Sequence, residues 1–241
     1  MKKIFNWTNV RLILMLCLVI FLFSFTINRN EKRKLSKIDI VFVGKNNPFV
    51  KAETVDKLLI ENMNNRLAIE KDKLDLNKLE RILDSNAMID ESDVFVSIDG
   101  VLKAVVKQKT PVARVVDESE SFYIDYKGSK MPLSDNFTAR VPLVSGNVTS
   151  ENKEKLAQLF RVIYEDEFLK KNIIGIQVMP NSSLKMFNRN YDYQIVFGSL
   201  NNFETKFKNY KAFFQKAVLD STLYKYKMID LRFTKQVVCT K

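Results

Sequence analysis

The pattern of apolar and polar positions begins with an unbroken run. From Leu12 to Ile27 sixteen residues carry no charge, LILMLCLVIFLFSFTI, and they are apolar on every side of a helix rather than along one stripe. At about 1.5 Å per residue the run spans roughly 24 Å, slightly less than a hydrocarbon core of ~30 Å. Val10 and a snorkelling Arg11 extend it, and Trp7 sits where an interfacial aromatic belongs. No Ala-x-Ala-like site follows in Ser24-Phe25-Thr26-Ile27-Asn28-Arg29. The run therefore predicts an uncleaved transmembrane helix over 12–28 rather than a removed signal peptide.

Beyond it the periods shorten. Ile38 to Gly44 reads as a strand, and Val55, Leu58, Leu59 and Met63 as one face of a helix. Asp75 is a good cap for a second helix striped by Leu76, Leu79, Ile82 and Leu83. Val94–Ile98 and Val101–Val106 flank Asp99-Gly100, which predicts a two-residue type I′ hairpin with both loop residues at positive φ. After Pro111 short strands follow at Val112–Val116, Phe122–Asp125, Lys130–Leu133 and Val141–Val144. A helix capped by Ser150 carries a stripe from Leu156 to Phe168. Strands at 173–178, 183–187 and 193–197 precede a helix with Phe203, Phe207, Tyr210, Phe214, Ala217 and Val218 inward, and Lys206, Lys208, Lys211 and Lys216 on a solvated face. Met228 to Val238 closes the chain as a strand. The fold class is α+β: a transmembrane helix, a β-α-α-β-β module, then a mixed β-rich domain with two helices and a C-terminal edge strand.

Charge changes the picture only near the helix. Residues 1–37 hold eight Lys/Arg and one Glu, so most of the net +11 sits there, where it can meet anionic headgroups. The other 204 residues carry thirty-one basic and twenty-seven acidic side chains, too even to demand a nucleic-acid surface. Lys2, Lys3 and Arg11 precede the helix and five basic residues follow it, so a bare positive-inside count places the body in the cytoplasm; long trailing domains translocate regardless of such counts.

Candidate chemistry is sparse. The chain has no histidine, which removes His-based triads, His general bases and most zinc sites. Cys17 lies in the apolar run and Cys239 near the C-terminus, so no disulfide forms within the body. The six glycines are isolated and make no phosphate-cradling loop. Ser182-Ser183-Leu184-Lys185 and Ser134-Asp135-Asn136 match S-x-x-K and S-D-N of the penicillin-binding acyl transferases, but in reversed order and without K-T-G, and they read as turns. Sequons at Asn136, Asn147 and Asn181 read as loop asparagines. Glu165-Asp166-Glu167 reads as a solvated helix end and Asp90-Glu91 as a loop. No cofactor, metal, nucleic acid or small-molecule substrate is expected.

Five passages in order carry a resemblance: Ile38 to Gly44; Val106-Lys107-Gln108-Lys109-Thr110-Pro111-Val112-Ala113-Arg114-Val115; Phe122-Tyr123-Ile124-Asp125 to Lys130-Met131-Pro132-Leu133-Ser134; Arg140-Val141-Pro142-Leu143-Val144-Ser145-Gly146; and Met228-Ile229-Asp230-Leu231-Arg232-Phe233. Set behind one membrane helix, they resemble the FtsQ/DivIB cell-division proteins. The resemblance implies a cytoplasmic tail (1–11), the transmembrane helix (12–28), a basic juxtamembrane segment (29–37), a POTRA-like domain (38–110) and a β-domain (111–241). It implies a non-catalytic inner-membrane scaffold at the division septum with its body in the periplasm, against the charge count. It also implies FtsB/FtsL-type partners that add a strand at Ile229, Asp230, Leu231, Arg232 and Phe233, with Thr234, Lys235, Gln236, Val237 and Val238 continuing the edge. The chain departs from the family pattern where Leu-Pro is replaced by Ser85-Asn86-Ala87-Met88-Ile89, and in its short N-terminal tail. The alternatives are a POTRA-bearing adaptor for secretion or outer-membrane assembly, which septal imaging separates, and a wall-active enzyme, which a Ser182→Ala test would revive.

Overall fold

In the computed structural model, residues 7–31, 35–44, 49–63, 74–117 and 120–241 are described. The apolar run lies inside one helix, α1 (Trp7–Glu31). Its stretch Asn9–Ile27 is long and apolar enough to cross a bilayer and is not buried among the described residues. Thr26 Oγ1 donates back to the Leu22 carbonyl at 2.7 Å, so this hydroxyl is satisfied within the helix.

The chain divides into two units, residues 1–46 with 50–108, and residues 47–49 with 109–241. The first holds β1 (Lys37–Val43), α2 (Ala52–Asn62), α3 (Leu76–Asp84), β2 (Ile89–Val96) and β3 (Val101–Gln108). This is the expected β-α-α-β-β order. The sheet runs β1-β3-β2, with β1 parallel to β3 and β2 antiparallel to it. Alternation puts Leu102, Ala104 and Val106 of β3 on the covered face, where they pack with Val55 and Leu59 of α2 and Leu79 and Leu83 of α3. Asp75 caps α3, accepting from the Lys78 amide at 2.9 Å. Asp90 and Glu91 lie in β2 rather than a loop, and Lys107 of β3 reaches them at 3.1 and 3.8 Å.

The β2–β3 turn differs from the type I′ expectation. The Ser97 amide donates to the Val101 carbonyl (2.9 Å) and the Gly100 amide to the Ser97 carbonyl (3.1 Å). Gly100 has φ +80°, while Asp99 stays at negative φ. The loop is thus three residues, Ile98-Asp99-Gly100, with a left-handed glycine at its end. This solution needs positive φ only where no Cβ opposes it, whereas type I′ would force Asp99 there too.

The second unit contains β4 (Pro111–Val116), β5 (Ser121–Asp125), β6 (Lys130–Met131), β7 (Leu143–Gly146), α4 (Ser150–Glu165), α5 (Glu167–Asn172), β8 (Ile173–Val178), β9 (Leu184–Asn188), β10 (Gln194–Gly198), α6 (Phe203–Leu219), β11 (Met228–Asp230) and β12 (Val238–Thr240). One nine-stranded sheet runs β12-β11-β10-β9-β8-β7-β4-β5-β6. The pairs β4–β7, β7–β8 and β10–β11 are parallel, with α4 and α5 joining β7 to β8, and α6 joining β10 to β11. Leu156, Leu159, Phe160 and Ile163 of α4, with Phe207, Tyr210 and Ala217 of α6, pack on Val112, Val144, Ile176, Met186, Ile195 and Ile229.

Two helix boundaries differ from the sequence reading. Thr149, not Ser150, precedes α4 as its cap; the Asn152 side chain accepts from the Thr149 amide (2.9 Å) and donates to the Asn147 carbonyl (2.9 Å). The stripe ending at Phe168 belongs to two helices. Asp166 is extended (φ −92°, ψ 112°) and accepts from the Phe168 and Leu169 amides, so it opens α5 instead of continuing α4. It is no solvated end: Lys211 of α6 pairs with its other oxygen. Burial would raise this carboxyl, but the Lys211 ammonium and the two amides together hold it below its usual value.

Candidate functional site

The C-terminal run differs most from its sequence reading. Met228 to Val238 is not one strand. β11 ends at Asp230, Leu231 keeps one amide bond to β10, the chain leaves the sheet through 232–237, and β12 returns antiparallel along β11, with Met228 opposite Thr240, Ile229 opposite Cys239 and Asp230 opposite Val238. Ile229, Asp230 and Leu231 are buried, whereas Arg232, Phe233, Thr234, Lys235 and Gln236 are exposed in the connection. Val237 is half-buried and Val238 begins the outer strand. The open edge is therefore β12, and Ile229 to Leu231 lie one strand inside it.

Asp230 causes the departure. Its carboxylate accepts from the Arg232 amide (2.9 Å), from Arg232 Nε (3.0 Å) and from Arg232 Nη2 (2.6 Å). A side chain that binds the amide two residues ahead favours a turn over a continued strand. Gly198, at the end of β10 with φ +71°, makes room: a Cβ there would stand 2.7 Å from Arg232 Cγ. The Arg232 guanidinium beside Asp230 holds its carboxyl below the usual range, against a smaller upward push from burial. Arg232 thus pairs inside the domain.

Lys206 differs from the solvated lysine face that its helical spacing predicts. It is buried, and Nζ donates to the carbonyls of Phe197 (3.0 Å) and Ser199 (2.7 Å). Burial lowers its affinity for the proton, partly offset by attraction to Asp230. The first turn of α6 is thereby tied to the end of β10. Deeper in the same unit Tyr210 accepts from Asn188 Nδ2 (3.0 Å) and shares a hydrogen bond with the Tyr193 hydroxyl (2.8 Å). Both phenols are pushed above their ordinary range by burial.

The backbone of β12 can be oriented from β11. The Gln194 amide donates to the Lys227 carbonyl and the Leu231 amide to the Val196 carbonyl, so odd-numbered residues of β11 face β10. Met228 and Asp230 then face Val238 and Thr240, which turns the Cys239 amide and carbonyl toward the open edge. Beside this edge lies a groove of about 420 Å³ bordered by Phe213, Ala217, Tyr226, Lys216 and Lys241, with the Cys239 side chain in its wall. Burial pushes the Cys239 thiol up.

The sequence carries one further signal for this edge. Residues 203–241 hold nine Lys/Arg against three Asp/Glu, while residues 38–202 hold twenty-two against twenty-four. The body's basic excess is thus concentrated in the segment that carries α6, β11 and β12, although Lys206, Lys211 and Arg232 of that segment are engaged within the unit. Lys227, Lys235 and Lys241 are exposed at its two ends. Ser182, by contrast, sits in a turn with φ +59° ahead of β9, and Asn181 accepts from the Ser183 amide and hydroxyl.

The family comparison falls on this unit. A family model described as FtsQ/DivIB, C-terminal related, matches residues 110–240. The protein named Cell division protein FtsQ of Salinibacter ruber is 26% identical over 155 residues, 58% of this chain. The match spans 60% of that relative's own length. With the family match covering more than half of its residues, from the start of β4 through β12, the chain belongs to the FtsQ/DivIB, C-terminal related family.

Proposed function

We propose that the chain is a non-catalytic, single-pass membrane scaffold of the bacterial cell-division machinery. It is anchored by α1, with its body in the periplasm at the septum. The open edge of β12 receives an extended segment of an FtsB/FtsL-type partner, and through that assembly the protein takes part in regulating septal peptidoglycan synthesis. Family membership supports the division role. The single observation that carries the binding site is the unpaired outer edge of β12, which offers the Cys239 amide and carbonyl to an incoming strand. Residues 229–231 act from beneath it as a packed support. The lysines at both ends disfavour self-pairing of the edge and favour an acidic partner segment.

Cys239→Pro tests the site. Proline is tolerated at an edge position whose amide faces outward, so the body folds while the donor offered to the partner is gone. Co-purification of the full-length protein with an FtsB/FtsL-type pair should be lost, and septation with it. Unchanged recovery of the pair with Cys239→Pro would place the binding surface elsewhere. Protease added to spheroplasts should digest the body; a protected body would reverse the topology.

A further inference from the structure

The β2–β3 turn is held at the end of the first unit where the chain arrives from the membrane helix. The Ser36 amide donates to the Gly100 carbonyl at 2.8 Å and the Ser36 hydroxyl to the same oxygen at 3.2 Å. Leu35, one residue earlier, is buried in the core beneath the sheet. Between Glu31, the last residue of α1, and Leu35 lie three residues, which can span at most about 14 Å. Ile27 to Glu31 adds a helical rise of about 6 Å. Leu35 therefore lies within about 20 Å of the hydrocarbon edge, and a headgroup layer takes up roughly 5–8 Å of that distance.

The turn's composition fits this place better than it fits water. Ile98, at the tip, is 78% exposed. Its position in the turn accepts almost any residue, and here it carries a β-branched apolar side chain that is mostly exposed. Arg29, Lys32, Arg33, Lys34 and Lys37 precede it in the chain and attract anionic headgroups. Asp99 beside it limits how deeply the tip enters.

We propose that the Ile98-Asp99-Gly100 turn contacts the lipid surface from which α1 emerges, with the Ile98 side chain seated in the interfacial layer. Together with α1 this makes a second membrane contact, and it restricts how the first unit tilts relative to the bilayer. The inference rests on α1 being a retained membrane span.

The chain has one tryptophan, Trp7, which makes the test direct. The full-length W7F/I98W protein is placed in nanodiscs of phosphatidylethanolamine and phosphatidylglycerol, with and without acyl-chain bromination. W7F/V43W serves as the comparison, because Val43 ends β1 roughly 20 Å from Lys37. The indole introduced by I98W should emit further to the blue and lose most of its fluorescence to brominated lipid, while that introduced by V43W loses little. A water-like, unquenched I98W indole, or equal quenching at both positions, overturns the contact while leaving the anchor intact. Failure of the protein to enter nanodiscs at all overturns the anchor, and the contact falls with it.

Discussion

Gly198→Ala probes the packing that turns the chain out of the sheet after β11. Alanine at φ +71° costs about 1–2 kcal/mol, because its Cβ crowds the following carbonyl. The same Cβ would stand 2.7 Å from Arg232 Cγ, about 1 Å inside normal contact. Overpacking of this kind costs about 1–3 kcal/mol, and here the lower end applies because the Arg232 side chain is largely exposed and can swing aside. The two parts give about 2–3 kcal/mol. They separate in an Arg232→Ala background, where Cγ is gone and only an ordinary 3.6 Å contact to Cβ remains. Urea unfolding of residues 35–241 followed by near-ultraviolet circular dichroism reads this unit through its buried Tyr193 and Tyr210. With a slope of about 2 kcal/mol per molar, Gly198→Ala should lower the midpoint by about 1–1.5 M in the natural background, and by about 0.5–1 M when Arg232 is alanine. Equal decrements in both backgrounds would refute the role assigned to the Gly198–Arg232 contact and leave backbone strain as the whole effect.

Tyr210→Phe should cost about 1–3 kcal/mol, since it strips the partner from two buried groups, Asn188 Nδ2 and the Tyr193 hydroxyl; thermal unfolding by the same signal measures it. Asp166 and Asp230 have depressed folded-state values, so their stabilisation is present above about pH 4 and is lost as pH falls through the folded values. Asp166→Asn keeps an acceptor for the Phe168 and Leu169 amides but loses the charge that Lys211 meets, so its midpoint should fall less steeply than that of the natural chain on acidification below pH 4. Ile229→Ala empties a fully buried position beneath β12 and should cost about 2–5 kcal/mol in urea unfolding; a change under about 0.5 kcal/mol would mean that β11 is not part of the core.

Periodicity and capping made much of the architecture readable. The sixteen-residue run could be read because an all-apolar helix has no polar face to leave toward water on the surface of a small domain. The stripes of α2, α3 and α6 could be read because three- and four-residue spacing repeats for several turns. Asp75 was legible as a cap because its bond is made three residues away. Asp166 was not: its neighbours on both sides carry helical stripes, and only its two capping bonds and the approach of Lys211 break the helix there. Lys206 has no local mark separating it from Lys208 or Lys211. Its burial follows from the turn at the end of β10 presenting two carbonyls to the first turn of α6.

The C-terminal run divides the two kinds of information most clearly. The alternation of Ile229, Leu231 and Phe233 states a preference for extended backbone, and Ile229 does sit in a strand. Whether the strand goes on past Asp230 depends on a contest between the sheet and a local pairing of Asp230 with Arg232. Gly198, more than thirty residues earlier, decides it by leaving space for the arginine stem. The sequence by itself determined that the chain ends in β-structure rich in lysine. Tertiary structure decided which strand is outermost, because an edge is defined by what pairs on either side, and strand order is set by contacts between residues distant along the chain.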